Sequence, residues 1–279
     1  MTKLTRQQLE NHMRLHGSHL LLQGADLSEA DLSNLDLHGA DLRSAKLRGT
    51  NLRGANLREA NLQNAFLLRA NLDAVDLTGA NLSGANLKHA SLHEAKLVGA
   101  DLSGAKLANA KLVGADLSSR SDALNGTYLS WTNLTAANLA AADLTDAVLT
   151  GAQLSGANLS RTILCRANFA KANLSCQPDG YRTNLQRADL RGANLSDVTL
   201  CGADLRRANL RRTNLARANL QGLARWLTDL SGANLNDANL RGTNLHQALY
   251  NDRTRWDEDF IPSVAGAVKK GFLASFLEI

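Results

Sequence analysis

The hydrophobic pattern of this chain repeats every five residues. Between Ala25 and Leu117 a leucine occupies every fifth position, and the residue two places earlier is usually alanine. The residue just before each leucine is mostly Asp, Asn or Lys, and glycine is frequent two places after it. A representative unit reads Ala25-Asp26-Leu27-Ser28-Glu29.

A period of five matches neither a helix nor a strand. On an α-helix successive leucines would lie about 140° apart, and on a strand they would alternate between the two faces. A chain that buries all of them must turn after each unit, so the pattern predicts a solenoid. The alanines then face inward at corners, and the glycines suit turn positions with positive φ.

The repeat resembles the pentapeptide-repeat family in its Ala-(Asp/Asn)-Leu-X-X form, over roughly Leu20 to Tyr250. The resemblance implies an all-β solenoid, a right-handed quadrilateral β-helix with four units per coil and one unit on each face. The number of units predicts about eleven coils. Thr254-Arg255-Trp256, followed by Phe260-Ile261-Pro262, resembles the ending of many cyanobacterial members of the family.

Three segments follow from this pattern: an N-terminal helical cap at 1–19, the β-helix at 20–250, and a C-terminal cap with a helix at 251–279. Thr5 and Gln8 form a capping-box pair that predicts a short helix over 5–16. An apolar stripe from Val264 to Phe276 predicts a second helix over 263–277. Each helix would cover an open end of the solenoid, and the second could instead dock a partner.

Three stretches, at 118–123, 175–182 and 221–228, interrupt the register. The first reads as an insertion of two residues, and the second as one extra residue with a missing central leucine. In the third, Arg225 occupies the position of a leucine. Because a buried arginine is very costly, we expect this stretch to bulge and turn Arg225 outward.

Composition predicts a cytoplasmic protein with an aliphatic core. Aromatic residues make up 4% of the 279 residues, no apolar run approaches the ~18 residues of a membrane span, and a signal-peptide pattern is missing. Three cysteines without paired spacing favour neither disulfides nor a zinc site. His12, His16 and His19 share roughly one helix face, but no carboxylate or cysteine partner matches their spacing, so we predict surface histidines, no metal and no cofactor.

The sequence predicts a binding protein rather than an enzyme. It contains no phosphate-binding loop and no hydrolase motif, and a straight solenoid offers flat walls instead of a pocket. We expect an interaction scaffold for an unidentified protein partner, monomeric or dimeric through an end cap. The alternative is the DNA-mimic role of family members that bind gyrase and protect it from quinolones. A net charge of +5 disfavours it, because mimicry needs negative charge.

An arginine-rich surface is the main candidate site. Residues 179–225 contain nine arginines and four aspartates, and a twenty-residue period stacks Arg187 with Arg207 and Arg191 with Arg211. The surface is either a docking site for an acidic protein, nucleic acid or anionic lipid, or an ordinary solvated face. Nucleic acid has no motif and few aromatics in its favour. The candidates are Arg187, Arg191, Arg206, Arg207, Arg211, Arg212 and Arg217.

A smaller candidate site flanks the first irregular stretch. Tyr128 and Trp131 lie on either side of the central leucine Leu129 and are predicted to point outward. Exposed aromatic side chains of this kind are typical of interface anchors. The second interpretation is that both pack on the loop at 118–123.

Overall fold

The computed structural model describes residues 4–16, 20–119 and 126–270, and they form a parallel β-solenoid. Its elements are helix α1 (Arg6–His16) and two short parallel strands, β1 (Leu249–Tyr250) and β2 (Val268–Lys269). Elsewhere the ladder consists of single-residue parallel bridges, such as Asp26 with Lys46. Most bridges join residues twenty apart, so four five-residue units separate stacked residues.

The unit 41–45 shows how all five backbone N–H groups of one repeat find an acceptor. In the unit 41–45, the amides of Asp41, Leu42 and Ser44 donate to the backbone of neighbouring coils at 2.8, 2.7 and 2.9 Å. The Ala45 amide closes the turn on the Leu42 carbonyl at 3.0 Å. The Arg43 amide donates to the Asp41 carboxylate at 3.2 Å. This last bond explains why Asp or Asn so often precedes the leucine.

The core consists of the central leucines with the small residues that precede them. The central leucines from Leu27 to Leu235 are 0–1% exposed, and Phe169, which takes one central position, is fully buried. In the regular units, the second residue after the leucine adopts positive φ, as at Gly24 (67°) and Glu29 (59°). The predicted inward orientation of leucine and alanine is therefore confirmed.

The helix predicted over 5–16 is present as α1. The Thr5 amide donates to Gln8 Oε1 at 2.8 Å and the Gln8 amide donates to Thr5 Oγ1 at 3.3 Å, which forms the capping box. Leu9 is buried against the leucine core, and Arg6 Nη1 donates to the Ser33 carbonyl at 3.0 Å. The side chains of the three histidines lie outside the described residues. Among the described residues, no helix has the length and apolarity to cross a membrane.

The helix predicted over 263–277 is wrong in its described part. Val268–Lys269 form β2 instead, and the Val268 amide donates to the Ala248 carbonyl at 2.8 Å. Gly266 has a φ of 84°, which breaks a right-handed helix, and Val264 is 83% exposed rather than on a buried stripe. Pairing with the last coil satisfies backbone groups that a helix would leave open. Residues 271–279 lie outside the described residues.

Aromatic side chains pack together where the repeat ends. The Trp256 ring stacks on Phe260 with centroids 5.0 Å apart and meets Tyr250 edge-on at 6.0 Å. Thr254 Oγ1 donates to the Leu230 carbonyl at 3.0 Å. The segment after Tyr250 therefore continues to pack on the last units of the solenoid.

The three irregular stretches are insertions between coils that keep their register. Asp101 pairs with Tyr128, twenty-seven residues on, so the first insertion has seven extra residues rather than the predicted two. The central part of that loop, 120–125, lies outside the described residues. The other two insertions add six and five residues, because their bridges span twenty-six and twenty-five positions. Arg225 is exposed on the third, as predicted.

A buried threonine closes each of these insertions. The Oγ1 atoms of Thr127, Thr183 and Thr228 accept the amide of a glycine in the preceding coil at 2.9–3.0 Å. Each hydroxyl also lies 2.9–3.0 Å from the carbonyl oxygen of the residue where the loop leaves the ladder. The threonine thus takes the place of a coil carbonyl, and the ladder continues unchanged beyond the loop.

The buried leucine columns make a direct prediction for stability. Replacing Leu77 or Leu195 by alanine should lower the free energy of unfolding by roughly 2–5 kcal/mol, because each leaves a cavity in a column. Leu77→Asp should unfold or aggregate the protein, since it buries an unpaired charge. Urea unfolding measures both effects. Leu21→Ala is the matched control, because Leu21 is 80% exposed. Equal effects at Leu21 and Leu77 would contradict the inward orientation.

Candidate functional site

All seven candidate arginines have exposed side chains on the turn residues of adjacent coils. Arg187 and Arg207 belong to one column, because the Arg187 amide donates to the Arg206 carbonyl, beside Arg207, at 3.0 Å. Arg191 and Arg211 belong to another, because the Gly192 amide donates to the Arg211 carbonyl at 2.9 Å. Side chains in one column are therefore about 4.8 Å apart at their bases.

Five of the seven arginines already hold a carboxylate. Two arginines therefore differ from the rest: Arg187 and Arg207 have no ion pair within the described part of the chain. Exposed pairs of this kind contribute little to stability, but they neutralise much of the surface. The pairs are Arg191–Asp189 (2.6 Å), Arg206–Asp204 (2.6 Å), Arg217–Asp197 (2.7 Å), and Arg211 (3.2 Å) and Arg212 (3.5 Å) with Asp237.

Arg187 and Arg207 line an open groove of about 850 Å³. Two further arginines, Arg161 and Arg253, extend their column on either side, and neither has an ion pair among the described residues. Among the described residues, no side chain that lines this groove is aromatic. We call this feature the arginine groove and define it by its six cationic residues, Arg161, Arg187, Arg206, Arg207, Arg253 and Lys270.

Gly232 leaves a gap in the arginine column. It follows Arg207, whose amide donates to the Ser231 carbonyl at 3.0 Å. A Cβ atom on Gly232 would lie 3.5 Å from Arg207 Cγ and 3.9 Å from Arg253 Cβ. The column from Arg161 to Arg253 covers four coil spacings, about 19 Å, with an open position between its last two arginines.

Two buried carboxylates pair with cations that line the groove. The side chains of Asp204 and Asp229 are 7% exposed. Asp204 pairs with Arg206, and Lys270 Nζ lies 2.8 Å from Asp229 Oδ2. Burial alone would raise the pKa of Asp229, but hydrogen bonds from Lys270 and Ser231 outweigh it and lower that pKa. Asp204 and Asp229 therefore pair with Arg206 and Lys270, and no carboxylate in the described part of the chain pairs with the arginine column.

Ser231 is a buried residue next to the Asp229 carboxylate. The residue is 7% exposed, and its amide donates to Asp229 Oδ1 at 2.9 Å. The hydroxyl is near enough to Asp229 to contribute to the lowered pKa of that carboxyl.

Tyr128 and Trp131 are both outward, but they pack differently. Trp131 is 68% exposed, and its indole lies flat over Gly151 of the next coil, where a Cβ atom would come within 2.5 Å of the ring. Tyr128 is 40% exposed, and its ring lies about 3.5 Å from the position of a Cβ on Gly126, at the end of the loop. Trp131 thus packs on the coil wall rather than on the described part of the loop.

Several groove residues were missed from the sequence. Arg161 is twenty-six residues before Arg187, so a search with a fixed period of twenty assigns the two residues to different columns. The insertion at 175–182 accounts for the six additional residues and brings them into one column. Allowing a variable loop length would have revealed this pair. Arg253 and Lys270 lie beyond the last regular unit, where no period applies. Among the described residues, no cluster of His, Cys, Asp and Glu is arranged to hold a metal ion.

The ladder, the leucine columns and the turns define a β-helical repeat protein that presents side chains on its walls. The chain belongs to the pentapeptide repeat family, whose members fold as right-handed β-helices. The family model for pentapeptide repeats matches residues 21–58, 50–88, 85–119, 123–151, 147–176, 183–222 and 227–248.

Two solved structures illustrate the relationship. HetL, a pentapeptide repeat protein involved in heterocyst differentiation regulation in the cyanobacterium Nostoc, is 34% identical, with a TM-score of 0.58 over 88% of this chain and 96% of HetL. QnrB1, a plasmid-mediated fluoroquinolone resistance protein, is 19% identical, with a TM-score of 0.59 over 73% of this chain and 95% of QnrB1, and shares the fold. No curated protein matches the chain.

The buried Asp229 carboxylate predicts acid sensitivity. Because its pKa is lowered by folding, its contribution to stability is present above its ordinary pKa of 3.8 and is lost as the pH falls through the lower folded value. Asp229→Asn should therefore lower the free energy of unfolding at pH 7 by about 1–2 kcal/mol, since water screens the half-exposed Lys270. It should also flatten the decline in stability below pH 3.8.

Urea unfolding at neutral and acidic pH measures this effect. Asp237→Asn is the matched control, because Asp237 holds its arginines at an exposed position. An Asp229→Asn variant with the acid profile of the wild-type protein would show that this carboxylate does not stabilise the fold.

Proposed function

We propose that this chain is a non-enzymatic interaction scaffold that binds an acidic segment of a protein partner in the arginine groove. The observation that carries the proposal is the column of four arginines, Arg161, Arg187, Arg207 and Arg253, without a carboxylate partner among the described residues. The other candidate arginines form ion pairs with aspartates, so we expect them to contribute less to binding. A regulatory role, of the kind named for HetL, belongs to this proposal.

The chemistry of the column suits carboxylates. A guanidinium presents its N–H donors in a planar fork that matches a carboxylate, and it is more weakly hydrated than an ammonium group. Arginines stacked about 4.8 Å apart repel one another in the free protein, so an acidic ligand relieves repulsion as well as forming new bonds. The backbone ladder keeps the column in place, so little order has to be created on binding.

The shape of the rod is part of the proposal. Bridges between residues twenty apart support a quadrilateral cross-section of about eleven coils with four flat walls. Helix α1 would cap the first coil, through Leu9 and Arg6, and the segment after Tyr250 would cap the last. Tyr128 and Trp131 offer a second, weaker contact surface on another wall. DNA mimicry is less well supported, because a cationic groove would attract phosphates rather than imitate them.

Two matched sets of substitutions test the groove. Changing Arg161, Arg187, Arg207 and Arg253 to Gln should weaken the binding of a fluorescein-labelled polyglutamate peptide at least about tenfold, because each lost pair involves a charge-assisted bond. Changing the paired arginines Arg191, Arg211, Arg212 and Arg217 to Gln removes the same charge and should have a much smaller effect. Fluorescence anisotropy at several salt concentrations measures both, and wild-type binding should weaken as salt rises.

Equal losses in the two sets would mean that net charge, not the groove, attracts the peptide. If the wild-type protein fails to bind polyglutamate at low salt, the groove is an ordinary solvated face. Circular dichroism provides the folding control, since exposed turn residues contribute little to the core.

The caps make a separate prediction. Deleting residues 1–17 exposes the amides and carbonyls of the first coil, and deleting 251–279 does the same at the last. Each truncation should promote end-to-end association, which light scattering detects as an increase in mass. Leu9→Ala is a milder version of the first change and should cause partial association. Truncated proteins of unchanged mass would show that the ends need no cover.

A further inference from the structure

We propose that the second and third insertions form one docking surface beside the arginine groove, and that this surface binds a bulky apolar side chain of the acidic partner segment. This inference rests on the proposed function and adds a second requirement to it. We call residues 176–182 and 221–227 the loop pair. Its exposed large apolar side chains are Tyr181 and Leu223, which are 67% and 38% exposed.

The two insertions pack on each other rather than extending separately into solvent. The indole of Trp226, on the third insertion, faces Gly180 on the second, where a Cβ atom would lie 3.1 Å from the ring. The Arg182 guanidinium lies over the same indole, 5.8 Å from the ring centroid. Tyr181 lies between Gly180 and Arg182 in the chain, so contacts with Trp226 hold its backbone on both sides.

Arg182 fixes the geometry of the loop pair. Its Nε donates to the Gly202 carbonyl at 2.8 Å. Its Nη2 donates to the carbonyls of Ala203 at 3.2 Å and Leu227 at 2.7 Å. One guanidinium thus joins the second insertion, the coil between the insertions, and the end of the third insertion. The planar fork of donors on an arginine makes such a junction possible.

The intervening coil makes room for this packing at Gly202. The residue has a φ of 71°, and a Cβ atom there would lie 3.0 Å from the Trp226 carbonyl oxygen and 2.8 Å from Cys176 Sγ. A side chain at this position would therefore push both insertions away from the coil. The contact between the insertions is thus specified by residues on all three segments.

The loop pair adjoins the arginine groove. Thr183 closes the second insertion, and the next residue, Asn184, lines the groove. Thr228 closes the third insertion, and Ser231, three residues further on, also lines the groove. Both insertions therefore return to the ladder at the wall that carries the groove, so a segment bound there passes the loop pair.

An apolar side chain in an acidic context is the ligand that suits this position. Exposed apolar side chains on a backbone that is already ordered give contact area at a low cost in conformational entropy. Arg225 is exposed on the third insertion and has no ion pair among the described residues, so it adds positive charge to the same surface. A partner segment with one bulky apolar residue among acidic residues would satisfy both the groove and the loop pair.

Single-stranded nucleic acid is a weaker candidate for the same surface. Such strands bind by stacking successive bases on several aromatic side chains. Tyr181 is the one exposed aromatic residue of the loop pair, because Trp226 is covered by the second insertion. The surface therefore favours a single apolar side chain over a row of bases.

A phenylalanine scan tests the inference. In a fluorescein-labelled polyglutamate peptide, each glutamate in turn is replaced by phenylalanine, and a matched set of peptides carries alanine at the same positions. At the preferred position, we expect fluorescence anisotropy to show at least about tenfold tighter binding of the phenylalanine peptide, because burial of an apolar side chain supplies such a difference. This ratio should persist as salt rises, since screening weakens only the charge interactions.

Substitutions in the loop pair assign this ratio to its side chains. The double variant Tyr181→Ala, Leu223→Ala should bring the ratio close to unity and leave the affinity for the alanine peptides unchanged. Arg182→Lys should also lower the ratio, because an ammonium group cannot reproduce the fork that positions Tyr181. Phe66→Ala is the matched control, because Phe66 is 51% exposed on the N-terminal half of the rod. Circular dichroism confirms that each variant is folded.

Each result bears on a different part of the proposal. Equal affinity for the phenylalanine and alanine peptides at every position would overturn the docking surface and leave the scaffold function intact. A ratio that survives in the double variant would overturn it too, because the apolar residue would then bind elsewhere. Failure of every peptide to bind would remove the proposed function and this surface together. Tighter binding of oligothymidylate, with the same dependence on Tyr181, would replace the acidic segment with single-stranded nucleic acid.

Discussion

The structure depends on the need of every backbone amide for an acceptor. A coil with one residue per bridge has no long strands to satisfy its polar groups, so acceptors come from the coils above and below, from the turn, and from one side chain. Leu42 and Ser44 use the next coil, Ala45 uses its own turn, and Arg43 uses the Asp41 carboxylate. The five-residue period therefore reflects hydrogen bonding as much as the burial of leucine.

Because the backbone and the residue before each leucine make these hydrogen bonds, the side chains of the turn residues are not needed to hold the coil together. Their side chains contribute little to the core, so arginine, aspartate, glycine or tryptophan can occupy the same position in successive coils, as Arg207 and Gly232 do. The walls can consequently vary in charge while the interior stays constant. Whether an arginine is available to a partner then depends on its neighbours. Asp197 forms an ion pair with Arg217, whereas no carboxylate among the described residues pairs with Arg187.

The sequence predicted the features that are local or strictly periodic. The inward leucines, the capping box of Thr5 and Gln8, and the outward turn of Arg225 all follow from residues a few positions apart. The sequence underestimates the first insertion, because Leu124 has the five-residue spacing to Leu129 that is typical of a repeat leucine. The C-terminal helix is wrong over its described part, 263–270, because an apolar stripe carries no information on the unpaired coil edge beside it. Arg161 was missed because the length of the insertion at 175–182 decides which residues stack, and the sequence alone does not show where that insertion begins and ends.

The threonines that close the insertions have a wider consequence. Thr127, Thr183 and Thr228 restore the ladder at the point where each loop returns, so the coils beyond it are stacked as though the loop were absent. Loops of five, six and seven extra residues are accommodated by the same bond. A new segment can thus be acquired at a corner without any adjustment elsewhere in the rod. The scaffold can therefore diversify by insertion, because one threonine hydroxyl is enough to restore the hydrogen-bond ladder after the inserted segment.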